Sequence, residues 1–432
     1  MTLQAEVAPP EPPVAVTPRR RLHVTRQTWA GIVFVFFGVL DVVGFGVAAR
    51  PGDAIFGVSL PGSSVHLSPI HVPAAPTAIA AGTVSIALGV LWLRTHLRKG
   101  AKRAVIVAVL FLFVLSFLCW AGAGKTLSLV GLLQSSVERS IPLVLGAMAG
   151  ILCERSGIIN IAIEGQLLIG AFTAAIVASS SNNLYLGLVC GGLAGGAFGL
   201  ILGVFAIRYV VNQIVVGVVL NVLATGLTGY LYDRVMVGTY QNTLNTPGVF
   251  HTVNVPGLSS IPILGPVLFE GNIFLYMTYA IVILLQIGLF RTRWGLRVRA
   301  VGEHPVAAET VGIRVLFTRY RNVFLGGICA GIGGAYLTIG SVGPFGKNIS
   351  SGKGFISLAA MIFGRWTPIG AVGSALLFGF TDAVQNIMSV LGTSIPSDFL
   401  LMMPYVATII VVAGVVGKVR PPKAEGTPYV KS

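Results

Sequence analysis

Glu154, Arg155, Asn160, Glu164 and Gln166 fall within one stretch, "CERSGIINIAIEGQ" (153–166), between the apolar runs "IPLVLGAMAGIL" and "LLIGAFTAAIVA". Two carboxylates, a guanidinium and two amides in such a setting can pass a polar solute or hold an interrupted backbone. Membrane interiors seldom carry these groups without a use. Other candidates for chemistry are less well placed. "AGAGKT" (121–126) has the look of a phosphate-binding loop, but the pattern ending at Thr126 needs glycine at position 119, which is Cys119. It also follows an apolar run rather than a strand, so ATP binding is not expected of this chain. None of His23, His66, His71, His251 and His304 has a second ligand at metal spacing. Cys119, Cys153, Cys190 and Cys329 lie in or beside apolar runs and read as buried free thiols. Asp41 and Asp382 are isolated carboxylates that suit a proton relay or a packing role equally. No nucleophile–base pair, metal site or cofactor site emerges.

The elements around these groups are membrane spans. Of 432 residues, 54% are hydrophobic and 10% charged, too few charges to cover a soluble surface of that size. The formal charge of +15 is gathered into clusters: Arg19, Arg20, Arg21 and Arg26; Arg94, Arg98, Lys99, Lys102 and Arg103; Arg291 to Arg321; and Lys418 to Lys431. Clustering between apolar runs is the positive-inside pattern, and no aromatic-interleaved basic groove points to nucleic acid. Apolar runs occur at about 29–49, 76–93, 104–122, 160–180, 184–207, 211–232, 272–290, 322–341, 369–390 and 399–417, against a spanning need of about 20 residues. Two shorter runs, 139–153 and 355–366, place every basic cluster on one side if both cross. The expected fold is therefore an all-α polytopic membrane protein of about 10–12 transmembrane helices, with both termini cytoplasmic.

The organisation read from the sequence is a disordered cytoplasmic tail over 1–28, an extra transmembrane unit over 29–124, a core over 125–417 and a cytoplasmic tail over 418–432. The Pro-rich N-terminus lacks the order of a signal peptide. "GKTLSLVGLLQSSVERS" reads as an interfacial segment. Gly187, Gly191, Gly195, Gly199 and Gly203 recur every four residues, which bares one helical face for close packing.

Two interruptions stand out. The run 139–153 is about 22 Å of helix and ends in "ERSG". The second, "GPFGKNISSGKGFISLAAMIFGRW" (343–366), also has a short apolar part, and each contains an Asn-Ile pair, at Asn160 and Asn348. Irregular backbone at membrane depth is expected only against protein or a wet cavity. Broken segments in two oppositely oriented halves read as an inverted repeat with the path where they meet. Asn160, Glu164, Gln166, Asn221, Tyr336, Asn348 and Phe355 are the candidate lining; Glu164 could equally pair with Arg155 at the interface. Between spans, "GLRVRAVGEHPVAAETVGIRV" (295–315) sets Pro305 at a helix start and Gly312 at its end, leaving Val306, Ala307, Thr310 and Val311 to dock in a partner's groove.

"ERSGIINIAIEGQLLIGAFTAA", "GLRVRAVGEHPVAAETVGI" and "GFISLAAMIFGRWTPIGAVGSAL", in that order, resemble the permease subunits of bacterial ABC importers for nucleosides, within a wider group serving ribose-type sugars and branched-chain amino acids. The resemblance covers roughly 125–417. It implies a second permease subunit, a cytoplasmic ABC ATPase and an extracytoplasmic substrate-binding lipoprotein, all at the cell membrane. It also places the ATPase-coupling segment at Gly302, Glu303, His304, Pro305, Ala307, Ala308 and Gly312. The residues alone leave open a secondary transporter coupled to ions through Glu164, Asp41 or Asp382, and a permease for a simple sugar or a branched-chain amino acid.

Overall fold

The computed structural model describes residues 26–49, 51–59, 67–95, 97–237, 244–392, 402 and 420–430. The run at 399–417 and most of the N-terminal tail thus lie outside the described residues. The chain divides into two compact units.

The first unit holds α1 (Arg26–Leu40), which passes into a π-helical turn over Asp41–Val47, then α2 (Ala74–Arg94) and α3 (Lys99–Ala121). Glycines set the distance between α1 and α2: a Cβ on Gly82 would meet the Gly38 carbonyl at 2.7 Å. Aromatic rings fill the rest, Phe34 edge-on to Trp92 at 5.3 Å and Phe37 against Phe113 at 4.8 Å. Asp41 is wholly buried among these helices.

The second unit begins with a small sheet of β1 (Asp53–Gly57), β2 (Ile70–Pro73) and β3 (Thr126–Ser128), ordered β2-β1-β3. Its helices are α4 (Leu129–Glu154), α5 (Ile163–Ser181), α6 (Leu184–Gly203), α7 (Gln213–Leu231), α8 (Leu264–Phe269), α9 (Ile273–Arg291), α10 (Arg293–Glu303), α11 (Pro305–Thr310), α12 (Val315–Leu337), α13 (Lys353–Phe363) and α14 (Pro368–Val390). Short polar side chains start most of them. Ser128 caps α4, Asn183 α6, Asn212 α7, Asn272 α9, Thr292 α10 and Thr367 α14, each accepting from a first-turn amide that the helix leaves free.

Among the described residues, nine helices are long and apolar enough to cross a membrane: α1–α7, α9 and α12, several with their π-helical extensions. One expectation is corrected. The run at 139–153 is not short, because it belongs to a 26-residue helix that starts at Leu129 and takes in most of the expected interfacial segment. Glu138 and Arg139 mark no boundary; Arg139 reaches Asp382 of α14 at 3.0 Å, a partly buried ion pair between the two helices. Asp382, considered as a relay, is that partner. By contrast α13 has only 11 residues, about 16 Å of helix, and the chain reaches it through irregular backbone.

The core gathers α4, α5, α6, α12, α13 and α14. Gly326 of α12 lies at the Ala149 carbonyl and Gly333 at Leu145 and the Pro142 carbonyl, so α12 runs antiparallel to α4. Ser357 and Met361 of α13 meet Gly146 and Gly150 in the same order along α4, so α13 runs parallel to it. The helices that enter the two breaks, α4 and α12, therefore run in opposite directions.

The strip on α6 faces two neighbours. A Cβ on Gly187 or Gly191 would meet α5 carbonyls (Ala174, 2.7 Å; Gly170, 2.8 Å). On Gly195 or Gly199 it would meet α12 carbonyls (Gly327, 2.5 Å; Val323, 3.0 Å), and on Gly203 the Tyr320 ring at 3.3 Å.

Candidate functional site

The first break, 155–162, has backbone groups satisfied by side chains from α7, and its Asn160 side chain is paired with Gln166 of α5. Gln213 accepts from the Ile159 amide at 2.7 Å. Asn221 donates to the Ile161 carbonyl at 2.9 Å and accepts from the Gly165 amide at 2.8 Å. Asn160 is wholly buried and donates to Gln166 Oε1 at 3.1 Å. Irregular backbone survives here because its polar groups find amide partners that lipid could not supply.

The second break, 343–352, uses the left-handed region at Asn348, Ser351 and Gly352. It docks on the start of α5 through one side chain: Glu164, 6% exposed, accepts from Ser350 Oγ at 2.6 Å, the Gly352 amide at 2.8 Å and the Gly354 amide at 2.6 Å. A Cβ on Gly354 would strike the Glu164 backbone at 2.4 Å. The carboxylate thus closes the amino end of α13, where amides and helix dipole favour negative charge. The two breaks meet at Glu164.

Arg155 is not its partner. Its guanidinium donates to the Trp366 carbonyl at 3.0 Å and lies over the Phe290 ring, which Arg299 also contacts. Burial first, and then the neighbouring Arg299, lower the Arg155 pKa below its usual value. Trp366 Nε1 donates to Glu154, joining the end of α4 to the turn between α13 and α14.

The seven candidate lining residues fall in different settings. Asn160, Glu164, Gln166 and Asn221 hold the breaks together. Tyr336 is buried edge-on to Phe274, with ring centroids 5.6 Å apart. Asn348 and Phe355 are exposed on the second break and the first turn of α13. Ser350, Gly352, Gly354 and Gln213 were not anticipated; the one local signal was a carboxylate at Glu164 within an apolar run, which does not point to its partners.

We expect Asn160→Leu to lower thermal stability in detergent, since it leaves the buried Gln166 amide short of a partner at about 1–3 kcal/mol. Asn348→Leu should cost about 1 kcal/mol through its left-handed backbone alone, and Asn348→Gly should relieve that cost. A melting point for Asn160→Leu at or above that of the parent would contradict the structural role.

Of the segment expected to couple to a partner, α11 is a single short helix. His304 Nδ1 accepts from the Ala307 amide at 3.2 Å, Pro305 opens it, and Gly312 at φ +82 closes it. Val306, Ala307, Thr310 and Val311 are exposed, whereas Ala308 is 3% exposed and packs with Val301, Val315 and Tyr429. Ala308 therefore faces its own chain rather than a partner. Gly302 is fixed by contact: a Cβ there would meet the Arg155 carbonyl at 2.2 Å. Glu303 is exposed and lines a cavity of about 790 Å³ with Ile159, Arg420, Pro421, Pro422, Lys423 and Glu425.

Two irregular connections meet within an apolar helical bundle that also carries a polar helical loop between α9 and α12, the architecture of a polytopic membrane protein. Residues 132–413 match the family described as branched-chain amino acid transport system / permease component, and the chain belongs to it. It is 38% identical to the guanosine ABC transporter permease protein NupQ of Bacillus subtilis (strain 168), over 69% of this chain and 96% of that one. It is 40% identical to the nucleoside ABC transporter permease protein NupC of Lactococcus lactis subsp. cremoris (strain MG1363), over 68% and 94%. A putative glucose ABC transporter permease protein of Haloferax volcanii, TsgC13, is 31% identical over 59% and 77%. No solved structure matches the chain. It is a multi-pass permease subunit of the ABC type.

Proposed function

We propose that this chain forms part of the path by which an ATP-driven importer takes up a nucleoside or nucleobase. The observation that carries the substrate class is the likeness to nucleoside permeases along 94–96% of their length. A neutral ligand of that kind asks for hydrogen bonds and stacking surfaces rather than a charge clamp. With most of the amides and Glu164 occupied inside the chain, the exposed faces near Asn348 and Phe355 are where a second permease subunit and the substrate would meet it. A cytoplasmic ATPase and an extracytoplasmic binding lipoprotein complete the assembly we propose. Residues 424–429 contact Gly302, Ala308 and Arg319 beside the Arg-rich loop. That contact supports placing the C-terminus and the loop together on the cytoplasmic side.

Energy should come from another chain. "AGAGKT" runs from the end of α3 into β3, the reverse of the strand–loop–helix order of a phosphate-binding loop. The purified chain should hydrolyse no ATP. Uptake of labelled guanosine by cells should collapse on ATP depletion while the proton gradient is maintained. Uptake that follows the gradient at low ATP would instead establish an ion-coupled carrier.

The contact with the ATPase is assigned to the exposed side of α11. Val311 is 75% exposed, so Val311→Trp should change the stability of this chain by no more than about 0.5 kcal/mol. In the assembled transporter the same ring should block seating of the helix and abolish uptake. Full uptake by Val311→Trp would remove α11 from the ATPase interface.

A further inference from the structure

The segment after the last apolar run is built into the fold. The Ala424 amide donates to the Gly302 carbonyl at 2.9 Å, and the Gly426 amide donates to the Gly157 carbonyl at 3.3 Å. One short stretch is thereby hydrogen-bonded both to the end of α10 and to the first break. Gly426, at φ +71, makes the turn between these contacts, and a Cβ there would strike Ile159 at 2.7 Å. Three residues on, the Tyr429 ring is buried among Val301, Ala308 and Val315, and its hydroxyl donates to Glu309 of α11. Its face also covers Arg319, which is 1% exposed and whose Nε and Nη2 have no hydrogen-bond partner among the described residues. Without the ring, that guanidinium would meet water and the inward face of α11 would lose its cover.

A six-residue helix has no stability of its own, since nucleation fixes several dihedrals for very few hydrogen bonds. Its position must come from what it touches. Outward, α11 presents Val306, Ala307, Thr310 and Val311; inward, Ala308 rests against Tyr429. Residues 424–429 add a further link between α11 and the first break, beside the approach of Gly302 to the Arg155 carbonyl and that of Arg319 on α12 to Gly157.

We propose that the C-terminal segment 420–430 is a strap that fixes α11 against the first break, with Tyr429 and Ala424 as positioning residues for coupling. It rests on the reading of α11 as the ATPase contact, and goes beyond it by naming what carries a push on α11 to residues 155–160. A loose strap would leave ATP hydrolysis running while less of any displacement of α11 reached the break, since the approach of Gly302 to Arg155 alone would remain to guide it.

The test has one readout independent of transport. In inside-out vesicles containing the full chain with its partner ATPase, Ala308→Cys should react slowly with a membrane-impermeant maleimide, measured against the parent chain's own cysteines. Adding Tyr429→Ala should speed that reaction about tenfold or more, because the ring that covers position 308 is gone. Tyr429→Phe keeps the ring and should stay slow. In the same vesicles without the added cysteine, Tyr429→Ala should lower guanosine transported per ATP hydrolysed, with basal hydrolysis retained and Tyr429→Phe near the parent. If Tyr429→Ala does not accumulate, deletion of 420–432 serves as the second variant with the same expectations. Equal labelling of the Ala308→Cys thiol with and without the ring would overturn the strap. Faster labelling with unchanged transport per ATP would overturn its role in coupling. Absence of guanosine transport by the parent would count against the proposed substrate instead, and the labelling result would still decide the strap.

Discussion

Glu164→Leu is expected to remove most of the folded protein from the membrane. The leucine fits the apolar surroundings, but three donors lose their acceptor at once: Ser350 Oγ and the amides of Gly352 and Gly354. Each buried donor left unsatisfied costs about 1–3 kcal/mol, so the sum is a large part of a typical folding free energy of about 5–15 kcal/mol. Nothing nearby can substitute, since the Gly354 backbone already lies against that of Glu164. Glu164→Gln should fall between. Its carbonyl can still serve Ser350 and Gly352, while its amide meets the Gly354 N–H donor to donor. The checks are membrane yield and melting temperature in detergent, in the order parent, Gln, Leu. A Leu variant that melts with the parent would mean that Glu164 does not hold the second break.

The same residue shows what was legible in the sequence. A carboxylate one turn into an apolar helix announced itself, and so did the two interruptions, because polarity in a run of lipid-soluble residues is a local signal. Its partner was not legible. Arg155 is the nearest opposite charge along the chain, yet the partners of Glu164 are a hydroxyl and two backbone amides nearly two hundred residues away. Backbone donors carry no residue signature. The start of α4 was missed for a related reason: Glu138 and Arg139 look like a boundary until Asp382, on another helix, is known to face Arg139. On α11 the bounds were readable from Pro305 and Gly312, whereas the inward contact of Ala308, counted in the coupling segment by resemblance, is with Tyr429, about 120 residues further on in an unpatterned tail. Periodicity and punctuation are local; pairing across the bundle is not.

Gly331→Leu is expected to be at least as damaging, although no polar group is touched. Here α5, α6 and α12 meet backbone to backbone. A Cβ on Gly331 would lie 2.4 Å from the Gly191 carbonyl oxygen and 3.0 Å from the Gly192 Cα, while one on Gly170 would lie 2.4 Å from the Gly331 carbonyl. These are main-chain atoms of regular helices and cannot turn aside as a side chain would, so the helices must separate. In a bilayer the association of helices depends on such close packing, because lipid tails are as apolar as leucine and supply no hydrophobic drive. Even Gly331→Ala should lower the melting temperature clearly, and Leu should prevent the mature fold. The control is Gly226→Ala on α7, where a Cβ would meet nothing within 4 Å among the described residues. Alanine there gains helix propensity of up to about 1 kcal/mol, so the isolated chain should be unchanged or slightly firmer. If Gly331→Ala and Gly226→Ala melt together, the three helices cannot approach as closely as their glycines allow, and the strip on α6 serves some purpose other than packing.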